Sequence, residues 1–171
     1  ELLQTLSGVQ ARLRLGPGGG AGRWVAAENL HVTLKFVGEI PEPRIAVLRE
    51  AVQRACAQQG ALAVPVEGLG CFPNVQRPRV VWVGLQDDDR QLERLAAAIE
   101  REAAAVGFPR EERRFSPHLT VARVQQHATA EQVAALGQAV TAAQVGCLGI
   151  LAVHHVAIMR SDLRPQGPSY S

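Results

Sequence analysis

Residues 28–36 read ENLHVTLKF and residues 115–123 read FSPHLTVAR. Each stretch holds a His, an apolar residue, a Thr and a second apolar residue. Both look like strands, in which successive side chains point to opposite faces. In the first, a strand expected over residues 31–37, His31, Thr33 and Lys35 share one face, and Val32, Leu34 and Phe36 the other. In the second, expected over 118–124, His118 and Thr120 oppose Leu119 and Val121. One polar His/Thr pair on a half-exposed strand is ordinary solvent face. Two copies with the same inward pattern suggest one site built twice.

Working outward, residues 1–15 carry Leu2, Leu3, Leu6, Val9 and Leu13 at near-helical spacing. GPGGGAG at 16–22 breaks any helix and is expected to be a mobile loop. Pro41 and Pro43 open a helix through residue 58, and strands follow at 62–69 and 79–85. Asp87–Asp89 offer N-caps, not a metal clamp, for a helix over about 90–106. Thr129 caps a helix at 130–142, residues 147–160 are strand-rich, and SDLRPQGPSY closes as a loop. Each motif is thus a strand, then a helix, then more strand, a weak internal duplication. The expected fold is α+β, with two pseudo-symmetric lobes, each an antiparallel sheet with helices outside. The two His/Thr faces would line a central cleft.

The 171 residues suit one domain of two small lobes, and 47% apolar content suits a buried core. Aromatics make up 4%, so that core must be mostly Ala, Val and Leu. No apolar run reaches the roughly 18–20 residues of a membrane span, and no signal peptide is expected. Cys56, Cys71 and Cys147 are odd in number and widely spaced, which points to a reducing cytoplasm. A net charge of +2 is too weak to argue for nucleic acid alone. Every basic residue except Lys35 is Arg, which can grip a phosphate through two parallel N–H bonds.

Two imidazoles across a cleft suit in-line phosphoryl transfer. A neutral His takes a proton from the nucleophile while a protonated one gives a proton to the leaving group, and both forms exist near a pKa of about 6.5. Thr hydroxyls and a nearby Arg can hold the non-bridging oxygens. The residues leave open which His is acid and which base. A metal-dependent phosphodiesterase is disfavoured, because no Asp or Glu stands at ligand spacing from either His, and adjacent His154 and His155 would point to opposite faces. A nonhydrolytic RNA- or nucleotide-binding module is the other alternative, although binding alone does not require paired proton carriers. Trp24 and Phe72, near the motif segments, are candidates for base stacking as well as for packing.

RWVAAENLHVTLKFVGEIPE, GLGCFPNVQRPRVVWVGL, RFSPHLTVARV and MRSDLRPQGPSY cover much of the chain. Together they resemble the 2H phosphoesterase superfamily, named for its two His-x-Thr-x motifs. More narrowly they resemble the bacterial and archaeal RNA 2',3'-cyclic phosphodiesterases, also called 2'-5' RNA ligases. The resemblance implies that His31 donates the proton to the leaving oxygen and His118 accepts one from the attacking water. It assigns Thr33, Thr120 and Arg123 to the phosphate. It implies a metal-free, cofactor-free opening of 2',3'-cyclic phosphates to 2'-phosphates, on RNA or nucleotides, by a monomer. Ligation of RNA ends would be the same chemistry reversed. It also implies a single domain over residues 1–171, lacking the family's first and last edge strands.

Overall fold

In the computed structural model, which describes residues 1–164 and 167–170, the elements follow in the order α1 (Leu2–Leu15), β1 (Gly22–Trp24), α2 (Pro43–Cys56), β2 (Leu62–Phe72), β3 (Val80–Leu85), α3 (Gln91–Ala105), β4 (His118–Val124), α4 (Ala130–Ala142), β5 (Cys147–Val153), β6 (Ser161–Arg164) and β7 (Gly167–Tyr170). The chain forms two compact units, each assembled from three stretches. The first comprises Glu1–Thr33, Ala63–Arg90 and Ser116–Ala152, and the second Leu34–Leu62, Gln91–Phe115 and Val153–Ser171.

The first unit is organised by a five-stranded sheet in the order β1-β4-β3-β2-β5. Its inner strands form because they alternate. Val64 and Val66 on β2, Val81 and Val83 on β3, and Leu119 and Val121 on β4 are all buried. Leu6, Val9 and Leu13 of α1 and Leu136 and Val140 of α4 complete this interior. Burial of each such side chain contributes roughly 1.5–3 kcal/mol. The start of α4 is set by a capping box: Thr129 Oγ1 accepts from the Gln132 N–H at 3.3 Å, and the Gln132 amide oxygen accepts from the Thr129 N–H at 3.0 Å.

The glycine-rich stretch is not the expected mobile loop. Residues Gly19–Ala21 form a turn of 3-10 helix, tied to the residue that follows β4, Gln125, whose side chain donates to the Gly20 carbonyl at 3.0 Å. Gly18 stands at φ 73°, where a Cβ would collide with the backbone of α4 at Leu136. Glycine is therefore present here for close packing and not for mobility.

The second unit carries α2, α3 and the two-stranded ribbon β6–β7, not a sheet matching the first. The division also does not follow the two halves of the sequence. The expected closing loop is this antiparallel ribbon, with Ser161 opposite Tyr170; residues 165 and 166 lie outside the described residues. The strand expected over 31–37 is likewise absent. Val32 makes an isolated bridge, and after Thr33 the chain enters the second unit. There Phe36 is 71% exposed, while Lys35 is drawn inward. The Lys35 Nζ lies 2.7 and 2.9 Å from the two Glu100 carboxylate oxygens and donates to the Pro109 carbonyl at 2.8 Å. A hydrogen-bonded ion pair has displaced the ladder that alternation promised. The apolar partners are Leu48, Ala103 and Phe108, with Val37, Ile40, Val47 and Val52 against them. The Arg44 guanidinium lies 4.4 Å from the centre of the Phe108 ring.

Among the described residues no helix is long and apolar enough to cross a membrane. All three cysteines are free thiols.

The Lys35 side chain is 4% exposed, so Glu100→Ala would strand a buried ammonium. The expected loss of unfolding free energy is about 3 kcal/mol, measured by urea denaturation.

Candidate active site

Val32 pairs with Leu119 as an isolated antiparallel bridge. In that register His31 stands beside Thr120, and Thr33 beside His118. Leu119 is 2% exposed and lies on the buried face, so the four flanking side chains emerge on the other. The histidines occupy one diagonal of a rectangle and the threonines the other. Diagonal neighbours on adjacent strands stand roughly 7–8 Å apart, with space for a single tetrahedral anion between them.

The two rings are anchored alike. His31 Nδ1 lies 2.7 Å from the Asn29 carbonyl oxygen, and His118 Nδ1 lies 2.7 Å from that of Ser116. A carbonyl only accepts, so each Nδ1 carries the proton and donates it. The same carbonyl contact therefore orients both rings. Sequence reasoning missed these anchors, because a backbone carbonyl is present at every position and leaves no residue signal.

A cluster of aromatic rings supports His118. Phe72 meets it edge-on, with centroids 4.9 Å apart and planes at 79°, and Trp82 follows at 6.5 Å. Trp82 is the register partner of Thr120 and Gly84 of His118, so β3 presents this face beside β4. The Trp82 indole lies across Gly70 on β2, where any Cβ would strike the ring. Trp82 Nε1 is buried and has no hydrogen-bond partner among the described residues. Phe72 therefore lies at the His/Thr face, packed on a histidine. Trp82 was not foreseen, although its parity within VVWVGL separates it from buried Val81 and Val83.

Arg123 reaches this face only through an irregularity. Strict alternation from His118 and Thr120 would turn residue 123 to the buried side. The register shifts, however: Trp82 pairs with Thr120, but Val81 with Ala122 and Val80 with Arg123. Val121 is the extra residue of a β-bulge, and the bulge returns Arg123 to the face of Thr120. The spare Val121 carbonyl accepts from the Val25 N–H at 3.0 Å and from Gln10 Nε2 at 2.9 Å. Gln10, 8% exposed on α1, also donates to the Val25 carbonyl at 2.7 Å. One buried amide thus ties the helix to the bulge.

Trp24 is placed elsewhere. It pairs with Ala122, on the face opposite Arg123, and its Nε1 donates to the Gly19 carbonyl at 3.1 Å. Its placement gives no support to stacking at the His/Thr rectangle. Cys71, beside Phe72, is also no nucleophile, because burial pushes its thiol up to about 11.

A family model described as the 2'-5' RNA ligase superfamily matches residues 9–164. The chain belongs to this superfamily. Among its superfamily relatives, the RNA 2',3'-cyclic phosphodiesterase of Aeropyrum pernix is 34% identical over 146 residues, covering 85% of this chain and 80% of its own. The protein of that name from Archaeoglobus fulgidus is 32% identical over 169 residues, covering 99% and 85%. Solved structures agree with the fold. TT0787 of Thermus thermophilus superposes with a TM-score of 0.78 at 26% identity, covering 99% of this chain and 87% of that one. Escherichia coli LigT complexed with 3'-AMP gives 0.74 at 25% identity, with coverage of 99% and 87%.

Gln10→Leu should remove both amide bonds and leave the Val25 carbonyl without this donor. The expected loss is about 1–3 kcal/mol of stability, measured by urea denaturation.

Proposed function

We propose that this superfamily member hydrolyses 2',3'-cyclic phosphate ends of RNA to 2'-phosphates, by acid–base catalysis between His31 and His118 without a metal or cofactor. The observation that carries the reading is the matched pair of Nδ1–carbonyl bonds, which turns two Nε2 atoms into proton carriers beside two threonines. The name shared by the Aeropyrum and Archaeoglobus relatives supports the same activity.

The cyclic phosphate sits over the rectangle. Its non-bridging oxygens accept from the Thr33 and Thr120 hydroxyls and from Arg123, whose charge-assisted bonds strengthen as negative charge gathers on phosphorus. His118, neutral, takes a proton from water at Nε2 as the water oxygen bonds to phosphorus. The P–O3' bond breaks opposite, and His31, protonated, delivers its Nε2 proton to the departing 3'-oxygen. The product holds a 2'-phosphate and a 3'-hydroxyl, and the two imidazoles then exchange protons with solvent. Phe72 keeps the His118 ring from rotating out of line. Three free thiols agree with a reducing cytoplasm, where the chain would act as a monomer.

The test is turnover of an oligoribonucleotide ending in a 2',3'-cyclic phosphate, with identification of the product. A 2'-phosphate should form, at a rate unchanged by excess chelator. The rate should peak between two apparent pKa values and fall on both sides. His31→Ala and His118→Ala should each lower kcat by about 10²–10⁴-fold. A folded His118→Ala protein with nearly full activity would defeat the scheme, and a wild type that binds without turnover would make the protein a binding module.

A further inference from the structure

We propose that the sheet edge beside Arg123 holds a second anion site, centred on Arg23, which takes a phosphodiester of the RNA strand upstream of the cyclic end. The inference rests on the function proposed above and assigns its substrate as a strand rather than a free nucleotide.

Arg23 on β1 is the direct register partner of Arg123 on β4. Their Cβ atoms therefore stand about 4.5–5.5 Å apart, and like charges placed directly opposite destabilise a strand pair. Both side chains are exposed, and neither makes an ion pair with a carboxylate among the described residues. The register thus roots two arginines side by side, with no carboxylate paired to either among the described residues. Arg123 serves the phosphate at the rectangle, which leaves Arg23, one strand further out at the sheet edge, facing another anion.

The space for that anion is present. An open depression of about 450 Å³ wraps around the sheet edge at β1, lined by Arg23 and by Arg14, Trp24, Gln125 and the glycine turn, with no carboxylate among its lining residues. Trp24 Nε1 and Gln125 Nε2 donate to the turn's carbonyls at Gly19 and Gly20, which braces this wall. A hydrogen-bonded wall, two cations and no acid suit a phosphodiester. The position along β4 suits one covalently linked to the reacting end: across the bulge, Thr120 and Arg123 face Trp82 and Val80, two residues apart on β3, or about 7 Å at roughly 3.3 Å per residue.

The test compares Arg23→Gln with wild type on two substrates, a 2',3'-cyclic mononucleotide and a short oligoribonucleotide with a 2',3'-cyclic end. The ratio of kcat/KM for the oligonucleotide to that for the mononucleotide should fall about tenfold, the size of one lost charge-assisted hydrogen bond. Arg23→Lys should keep most of the ratio. Independently, the Kd of the oligonucleotide product ending in a 2'-phosphate should weaken similarly in Arg23→Gln. The slope of its logarithm against log salt should fall by about 0.7, one single-strand phosphate contact. An unchanged ratio with unchanged product affinity overturns the proposal, including the case in which both substrates slow equally. If wild type turns over neither substrate, the functional reading has failed, and product affinity alone then decides the role of Arg23.

Discussion

The candidate site depends on one antiparallel bridge. Val32 lies in no named strand and, among the described residues, bridges to Leu119 alone, yet this pairing sets the positions of four polar side chains. Because alternation has a period of two, a slip of one residue would turn His31 and Thr33 into the interior and expose Val32. The register is held from the other side by burial of Leu119 and by the full ladder between β3 and β4, from Val80–Arg123 to Gly84–His118. The second motif is thus the rigid template, and the first is docked onto it.

Three irregular features modify this template around the four polar side chains. The bulge at Val121 changes the parity of β4 and re-aims Arg123, and Gln10 occupies the carbonyl that the bulge frees. The short 3-10 turn Ala27–Asn29 sets the Asn29 carbonyl under His31. The space left by Gly70 admits the Trp82 indole, which with Phe72 backs His118. Each departs from ideal strand geometry, and each acts on a residue of the rectangle or beside it.

What the sequence shows and what it hides follow the same line. β4 at His118–Val124 and α4 at Ala130–Ala142 with its Thr129 cap are legible to the residue, because alternation and capping are local signals. The pairing of His and Thr on one face is legible for the same reason. The fate of residues 34–37 is not, because the Lys35–Glu100 pair joins positions 65 apart and outweighs a local strand pattern. The bulge is hidden because nothing in VAR marks which residue goes unpaired. The resemblance to a known family named Arg123, but only the shifted register explains how that side chain reaches the face. The glycine stretch misleads, since glycine serves loose loops and tight packing equally, and only the neighbours Leu136 and Gln125 decide between them.

The anchoring of both histidines to main-chain carbonyls has an evolutionary consequence. Where a carboxylate orients a catalytic imidazole, a single base change can delete the partner. Here the partners are the peptide oxygens of Asn29 and Ser116, and no side-chain replacement at either position removes them. Those two positions are therefore open to drift so long as the backbone path is kept. Selection on the orientation of these two rings acts instead on whatever shapes that path: the turn before His31, and Pro117 before His118, whose ring restricts Ser116 to extended geometry.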